Sequence, residues 1–215
     1  MKTNTIITIG REFGSAGREI GYKVAKEFGI KLYDKEMLAR AAKESGICEE
    51  IFESHDEKPT SSFLYSLVMD TYSMGYSGNT YTDMPINHKV FLAQFDAIKK
   101  IADEGPCILV GRCADYALES YKNVVSVFIH ADLDARIRRI ARIYNLTDAK
   151  EKDMILKTDK TRAGYYNYYT NKKWSDSKSY ELCLTSSELG IDGTANAIID
   201  YVKLKESIAK ESKRI

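Results

Sequence analysis

The chain has 215 residues, 44% hydrophobic and 29% charged, with 32 basic against 31 acidic side chains and a net charge of +1. These values exclude a disordered or collagen-like chain and a strongly basic nucleic-acid binder, but leave room for a local basic cleft. No apolar run reaches the ~18 residues of a membrane span, and residues 1–10 read as a strand, not as a signal peptide.

A short β-branched run over 5–9, closed by Gly10, predicts a buried strand. A glycine-containing turn follows. Ile20, Val24, Ala25 and Phe28 then recur at helical spacing until Gly29 stops the helix. A second strand is expected over 30–33 and a second helix over 35–45. The pattern weakens from 47 to 87, where a helix over 61–74 and a turn-rich loop over 75–85 are the expected features. Beyond it the chain predicts a helix over 88–102 and strands over 107–110 and 124–129. An arginine-rich helix over 132–144, a tyrosine-rich helix over 149–169, a strand over 180–185 and a last helix over 194–209 complete the series. Short strands alternating with helices imply an α/β sandwich of three layers, with about five parallel strands covered on both faces. In such a fold, ligands bind beyond the carboxyl ends of the strands. Cys48, Cys107, Cys113 and Cys183 match no zinc spacing and read as reduced thiols of a cytoplasmic protein.

The loop between the first strand and the first helix contains Gly14, Ser15, Ala16, Gly17, Arg18 and Glu19. Glycines there let backbone N–H groups curl inward, and the helix N-terminus adds partial positive charge, so this stretch is a candidate phosphate cradle. The phosphate-loop pattern asks for Gly, four residues, then Gly-Lys and a hydroxyl. Counted back from Gly17, Glu12 occupies the first glycine position, Arg18 the lysine position and Glu19 the hydroxyl position. Placement, not pattern, carries the signal. Arg18 offers a fixed fork to phosphate oxygens in place of a compact ammonium.

The stretch from Ile7 through Gly14-Ser15-Ala16-Gly17-Arg18-Glu19-Ile20, followed by Leu32-Tyr33-Asp34, resembles the cytidylate kinase-like family of nucleoside monophosphate kinases. The resemblance implies a P-loop kinase fold and an ATP-dependent transfer with Mg²⁺ to a nucleotide acceptor, CMP-like by preference. On the matching positions, Asp34 and Arg40 would serve the acceptor. Arg112, in Val110-Gly111-Arg112 at the end of the third strand, would hold its phosphate. The segment from Phe128 to Arg142 resembles the strand and helix leading into a lid, with Arg138 and Arg142 toward ATP and Arg139 toward the transferring group. Asp159 and Arg162 fit the Asp-x-x-Arg lid segment, with Asp159 orienting Arg162. On this basis 1–215 is one kinase-like domain with an acceptor-side insertion near 47–87 and a lid near 136–174.

The sequence also departs from that family. Valine and cysteine replace the acidic residues flanking Gly111-Arg112, Ser15 is the one hydroxyl in the loop, and no metal ligands stand out. Glu12 brings negative charge near the phosphate site. Tyr165, Tyr166, Tyr168, Tyr169 and Trp174 form an aromatic block that fits base stacking, lid packing or a subunit interface, so a homodimer is compatible with the sequence. Three functions follow: a nucleoside monophosphate kinase, a nucleotide-binding protein without transfer, and a kinase for another small molecule. None of them calls for nucleic acid or a membrane.

Overall fold

The computed structural model describes residues 3–46, 57, 86–145 and 148–211. The expected helix over 61–74, the loop over 75–85, Cys48 and nearly all of the expected insertion lie outside these residues.

Strands β1 (Ile6–Arg11), β2 (Lys31–Tyr33), β3 (Cys107–Val110), β4 (Val124–His130) and β5 (Leu182–Thr185) form one sheet in the order β2-β3-β1-β4-β5. Every pairing is parallel; Ile7 lies opposite Ile108 on one side and Val125 on the other. Parallel neighbours require crossovers. Among the described residues these run through helices α1 (Gly17–Phe28), α2 (Lys35–Ser45), α3 (Ile86–Asp103), α4 (Ala114–Ala117), α5 (Leu133–Tyr144) and α6 (Asp148–Thr170), and α7 (Ser186–Glu211) follows β5 and packs back onto the sheet. The α/β sandwich read from the sequence is the observed fold.

The period-two alternation of β1 assigns each side chain to a face. Ile7 and Ile9 pack with Ile20, Val24 and Phe28 of α1 and with Ile198 and Val202 of α7. Ile6 and Leu109 face the other way, onto Met37, Ile98 and Ile101. At about 1.5–3 kcal/mol for each fully buried aliphatic side chain, these two layers are the main source of stability. The third cluster is aromatic and lies at one end of the sheet: Phe91, Phe128, Tyr165, Tyr166, Tyr169 and Tyr180. Tyr169 is fully buried, its ring stacked on Phe91 at 3.9 Å between centroids. The tyrosine block is therefore core packing along the C-terminal part of α6.

Most boundaries shift by a residue or two, and two of the differences have a visible cause. β5 begins at Leu182, because Tyr180 turns its ring onto Phe128 at 4.8 Å before pairing starts. The last helix begins at Ser186 and breaks at Gly190, whose φ of 62° takes it out of helical conformation; the Thr194 hydroxyl donates to the freed Gly190 carbonyl at 2.6 Å.

Candidate active site

All five strands point their carboxyl ends at one edge of the sheet, and a cavity of about 650 Å³ opens there. β1 delivers Arg11 to its floor, and the chain then loops through residues 12–16 into α1. Ala16 adopts a left-handed φ of 63°, and no side chain caps the helix behind it. The first-turn N–H groups at Gly17, Arg18 and Glu19 are thus without the usual capping oxygen at an end carrying partial positive charge. Gly14 has a φ of 86°, and a Cβ there would come within 3.1 Å of Arg136.

The loop is fastened from beneath. Ser15 is buried and its hydroxyl donates to the carbonyls of Glu12 at 2.9 Å and Ile129 at 3.1 Å. The Glu12 carboxylate accepts the Ala131 N–H at 3.0 Å and lies 3.5 Å from Arg136 Nε. Asp159 accepts the Phe13 N–H at 2.7 Å and pairs with Arg136. Arg136 is therefore a buried clamp joining α5, α6 and the loop. Glu12 lines the cavity, but its carboxylate is set against Arg136 and the Ala131 N–H.

Above the loop, guanidinium groups converge from separate elements. Arg11 donates to Glu57 at 2.8 Å. Arg162 on α6 donates through Nε to the other Glu57 oxygen at 3.1 Å and through Nη1 to the Arg11 carbonyl at 3.3 Å, with its plane 5.6 Å from the Phe13 ring. Arg112 is buried and donates to Asp34 and, at 2.9 Å, to the Val110 carbonyl. Arg18 Nε lies 3.2 Å from the second Asp34 oxygen, and Arg139 pairs with Glu19. Gly111, Arg112 and Cys113 all have left-handed φ, of 75°, 52° and 55°. Such strain in non-glycine residues persists only where the surroundings impose it.

Five arginines (11, 18, 112, 139 and 162) and four carboxylates (12, 19, 34 and 57) line the cavity. Burial works to raise the Glu57 pKa, but the charges of Arg11, Arg162 and Arg112 overcome it and hold the carboxyl well below its usual range. Burial, with the like charge of Arg11, pushes Arg162 down to about 10, so it is still protonated at neutral pH.

Of the residues expected from sequence, Gly14, Ala16, Gly17, Arg18, Glu19, Asp34, Arg112, Arg139 and Arg162 meet at this cavity. Five others do not. Ser15 turns its hydroxyl inward to carbonyls, because the tight loop carries it over the end of β4. Asp159 holds Arg136 and the loop, and Glu57 takes the part of orienting Arg162 that was expected of Asp159. Arg40 lies along α2, bound to Glu44 at 2.9 Å and to Glu104 on the far side. Arg138 and Arg142 stand on the exposed side of α5, outside the lining. Arg11, Glu57, Tyr22 and Tyr144 line the cavity but were not singled out in the sequence. Arg11 had a readable signal, a charged residue at the very end of a buried strand; Glu57 had none.

Among the described residues, no protein-built site fits a Mg²⁺ ion. No group of three or more acidic, histidine or cysteine side chains comes together among the described residues. The cavity carboxylates Glu19, Asp34 and Glu57 each face an arginine. No helix among those residues is long and apolar enough to cross a membrane.

Residues 6–188 match the model of the cytidylate kinase-like family. No curated protein matches the sequence. An uncharacterized protein from Eubacterium ventriosum ATCC 27560 has a similar solved structure, with 27% identity and a TM-score of 0.68, covering 93% of this chain and 98% of that one. A gluconokinase from Sinorhizobium meliloti 1021 aligns at 11% identity and a TM-score of 0.52, covering 99% of both chains. A shikimate kinase from Bacteroides thetaiotaomicron aligns at 12% identity and a TM-score of 0.50, covering 93% of this chain and 98% of that one. These last two likenesses concern the fold, which is that of P-loop kinases.

Proposed function

Since the chain belongs to the cytidylate kinase-like family, we propose that its cavity transfers the γ-phosphoryl group of ATP to a nucleoside monophosphate, CMP-like by preference. The observation that carries this reading is the convergence of an uncapped helix N-terminus and five arginines on one cavity. Phosphoryl transfer asks a protein mainly for positioning and for positive charge where negative charge develops.

In this reading the N–H groups at Gly17, Arg18 and Glu19 and the Arg18 fork hold the donor phosphates. Arg139 and Arg162 face the group in transfer; before the acceptor enters, Arg162 is held by Glu57 and by the Arg11 carbonyl. Arg112 takes the acceptor phosphate, and Asp34 accepts a hydrogen bond from the acceptor while holding Arg18 and Arg112 apart. Mg²⁺ would arrive on the nucleotide's own phosphates. Buried, reduced Cys107 and Cys113 accord with a cytoplasmic setting.

A second reading, nucleotide binding without transfer, draws on Arg18 at the lysine position and on the inward turn of Ser15. An ADP-release assay over nucleoside monophosphates, with gluconate and shikimate as acceptors of the third class, separates the readings. We expect release that depends on a monophosphate and falls about 100-fold in Arg162→Ala, the size typical of removing one charge-stabilising donor. ADP binding with no release for any acceptor would establish the second reading instead.

A further inference from the structure

Glu57 is a half-buried carboxylate with each oxygen on a different guanidinium, Oε1 on Arg11 at 2.8 Å and Oε2 on Arg162 at 3.1 Å. The charge of Arg112 also acts on it. Space is kept for this arrangement: a Cβ on Gly111 would lie 2.2 Å from Arg11 Nη1 and 2.7 Å from Glu57 Oε1. The group is not sealed away. Arg11, Glu57, Arg112 and Arg162 all line the 650 Å³ cavity onto which the phosphate cradle opens. A planar oxyanion between two arginine forks is the arrangement by which proteins recognise a carboxylate or a phosphoryl group.

We propose that Arg11, Arg112 and Arg162 form an oxyanion subsite, and that the Glu57 carboxylate is its internal occupant, displaced by the acid group of the incoming acceptor. The identity of the anion as an acceptor rests on the phosphotransferase reading; the subsite does not. Exchange of one anion for another keeps the arginines neutralised throughout, whereas a departure of Glu57 without replacement would leave clustered positive charges under mutual repulsion. A neutral molecule offers no such replacement, so the occupant selects acceptors that carry an acid group. Two sources share this chemistry, a phosphoryl and a carboxylate group.

The test is titration of inorganic phosphate, and separately of acetate, into the full chain and its Glu57→Gln variant, with ADP present to fill the cradle. Removing the occupant's charge should tighten phosphate binding at least tenfold. A gain confined to phosphate assigns a phosphoryl-bearing acceptor, and a gain with acetate as well assigns carboxylate acceptors. In the wild-type chain, the Nε–H resonance of Arg162 should move with phosphate and saturate with the binding isotherm. That measurement decides the matter if Glu57→Gln does not fold. Unchanged or weaker phosphate binding in Glu57→Gln, or a stationary Arg162 resonance at phosphate saturation, overturns the proposal. ADP that fails to bind the wild-type chain counts against the phosphotransferase reading, whereas ADP binding alongside either overturning result counts against this subsite alone.

Discussion

Arg112 owes its position to three successive left-handed residues at the end of β3, which turn its side chain back toward Asp34. If that bend serves the acceptor, Arg112→Ala should weaken monophosphate binding at least tenfold while changing ATP affinity little, as read by calorimetric titration of each ligand. Equal losses would move Arg112 to the donor side. Glu57 supplies a test through pH. Its folded pKa lies below the unfolded carboxylate value of about 4.3, so its stabilisation is whole above that value and is lost as pH falls toward the folded one. Below about pH 4, the melting temperature of Glu57→Gln should therefore fall less steeply than that of the wild-type chain. Parallel acid limbs would show that the pair with Arg11 and Arg162 contributes nothing to folding. Residue roles were legible only where a local pattern carries them. The glycines before α1 and Gly111-Arg112 after β3 announce themselves, because strand ends and helix starts have fixed chemistry. Arg136 does not. It is one of four arginines within two turns, and its inward orientation is set by Glu12 and by Asp159, 23 residues further along.

At the scale of elements, α6 has two characters. Asp159 and Arg162, past its middle, reach the loop and the cavity, while Tyr165, Tyr166 and Tyr169 are sunk into the aromatic core. Tyr166 donates to Asp115 at 2.6 Å and Tyr165 to Gln94 at 3.0 Å, which ties the helix to α4 and α3. A lid spanning all of 136–174 would have to pull these rings out of the core. We expect nucleotide to protect amides over 138–144 and 148–160 from hydrogen exchange, while 165–170 exchange slowly with or without it. Equally slow exchange across the whole stretch in both states would remove the lid. Tyr169→Ala should cost about 3–5 kcal/mol of unfolding free energy, the range for emptying a buried aromatic site. Tyr169→Phe should cost no more than about 1 kcal/mol, since the hydroxyl's bond to the Asn87 carbonyl is long at 3.4 Å. Chemical denaturation of both variants checks the pair. A small loss in Tyr169→Ala would mean that the aromatic cluster rearranges freely. The helix itself was visible in the sequence. The division of labour along it was not, because burial of the tyrosines depends on Phe91 and Phe128, which come from α3 and β4.

The whole molecule places its chemistry by topology. With β1 at the centre of the order β2-β3-β1-β4-β5, the loop after β1 lies between the ends of β3 and β4, and Arg11, Asp34 and Arg112 arrive at one edge from three strands. That order was readable as a class, since β-branched strands and amphipathic helices alternate along the chain. The same architecture at 11–12% identity in a gluconokinase and a shikimate kinase shows how little the fold says about an acceptor. Among the described residues, the cations of the cavity are arginines: Arg18 stands at the lysine position of the loop, and each cavity carboxylate is set against an arginine. In the proposed function this cavity moves a phosphoryl group. Phosphorus NMR of the protein mixed with ATP, Mg²⁺ and CMP reads it without a coupling enzyme. The γ-signal of ATP should fall as the two phosphate signals of CDP grow, in equal measure and only when CMP is present. An ATP spectrum shifted by binding but undiminished, with CMP and with each other monophosphate tried, would contradict phosphoryl transfer at this site.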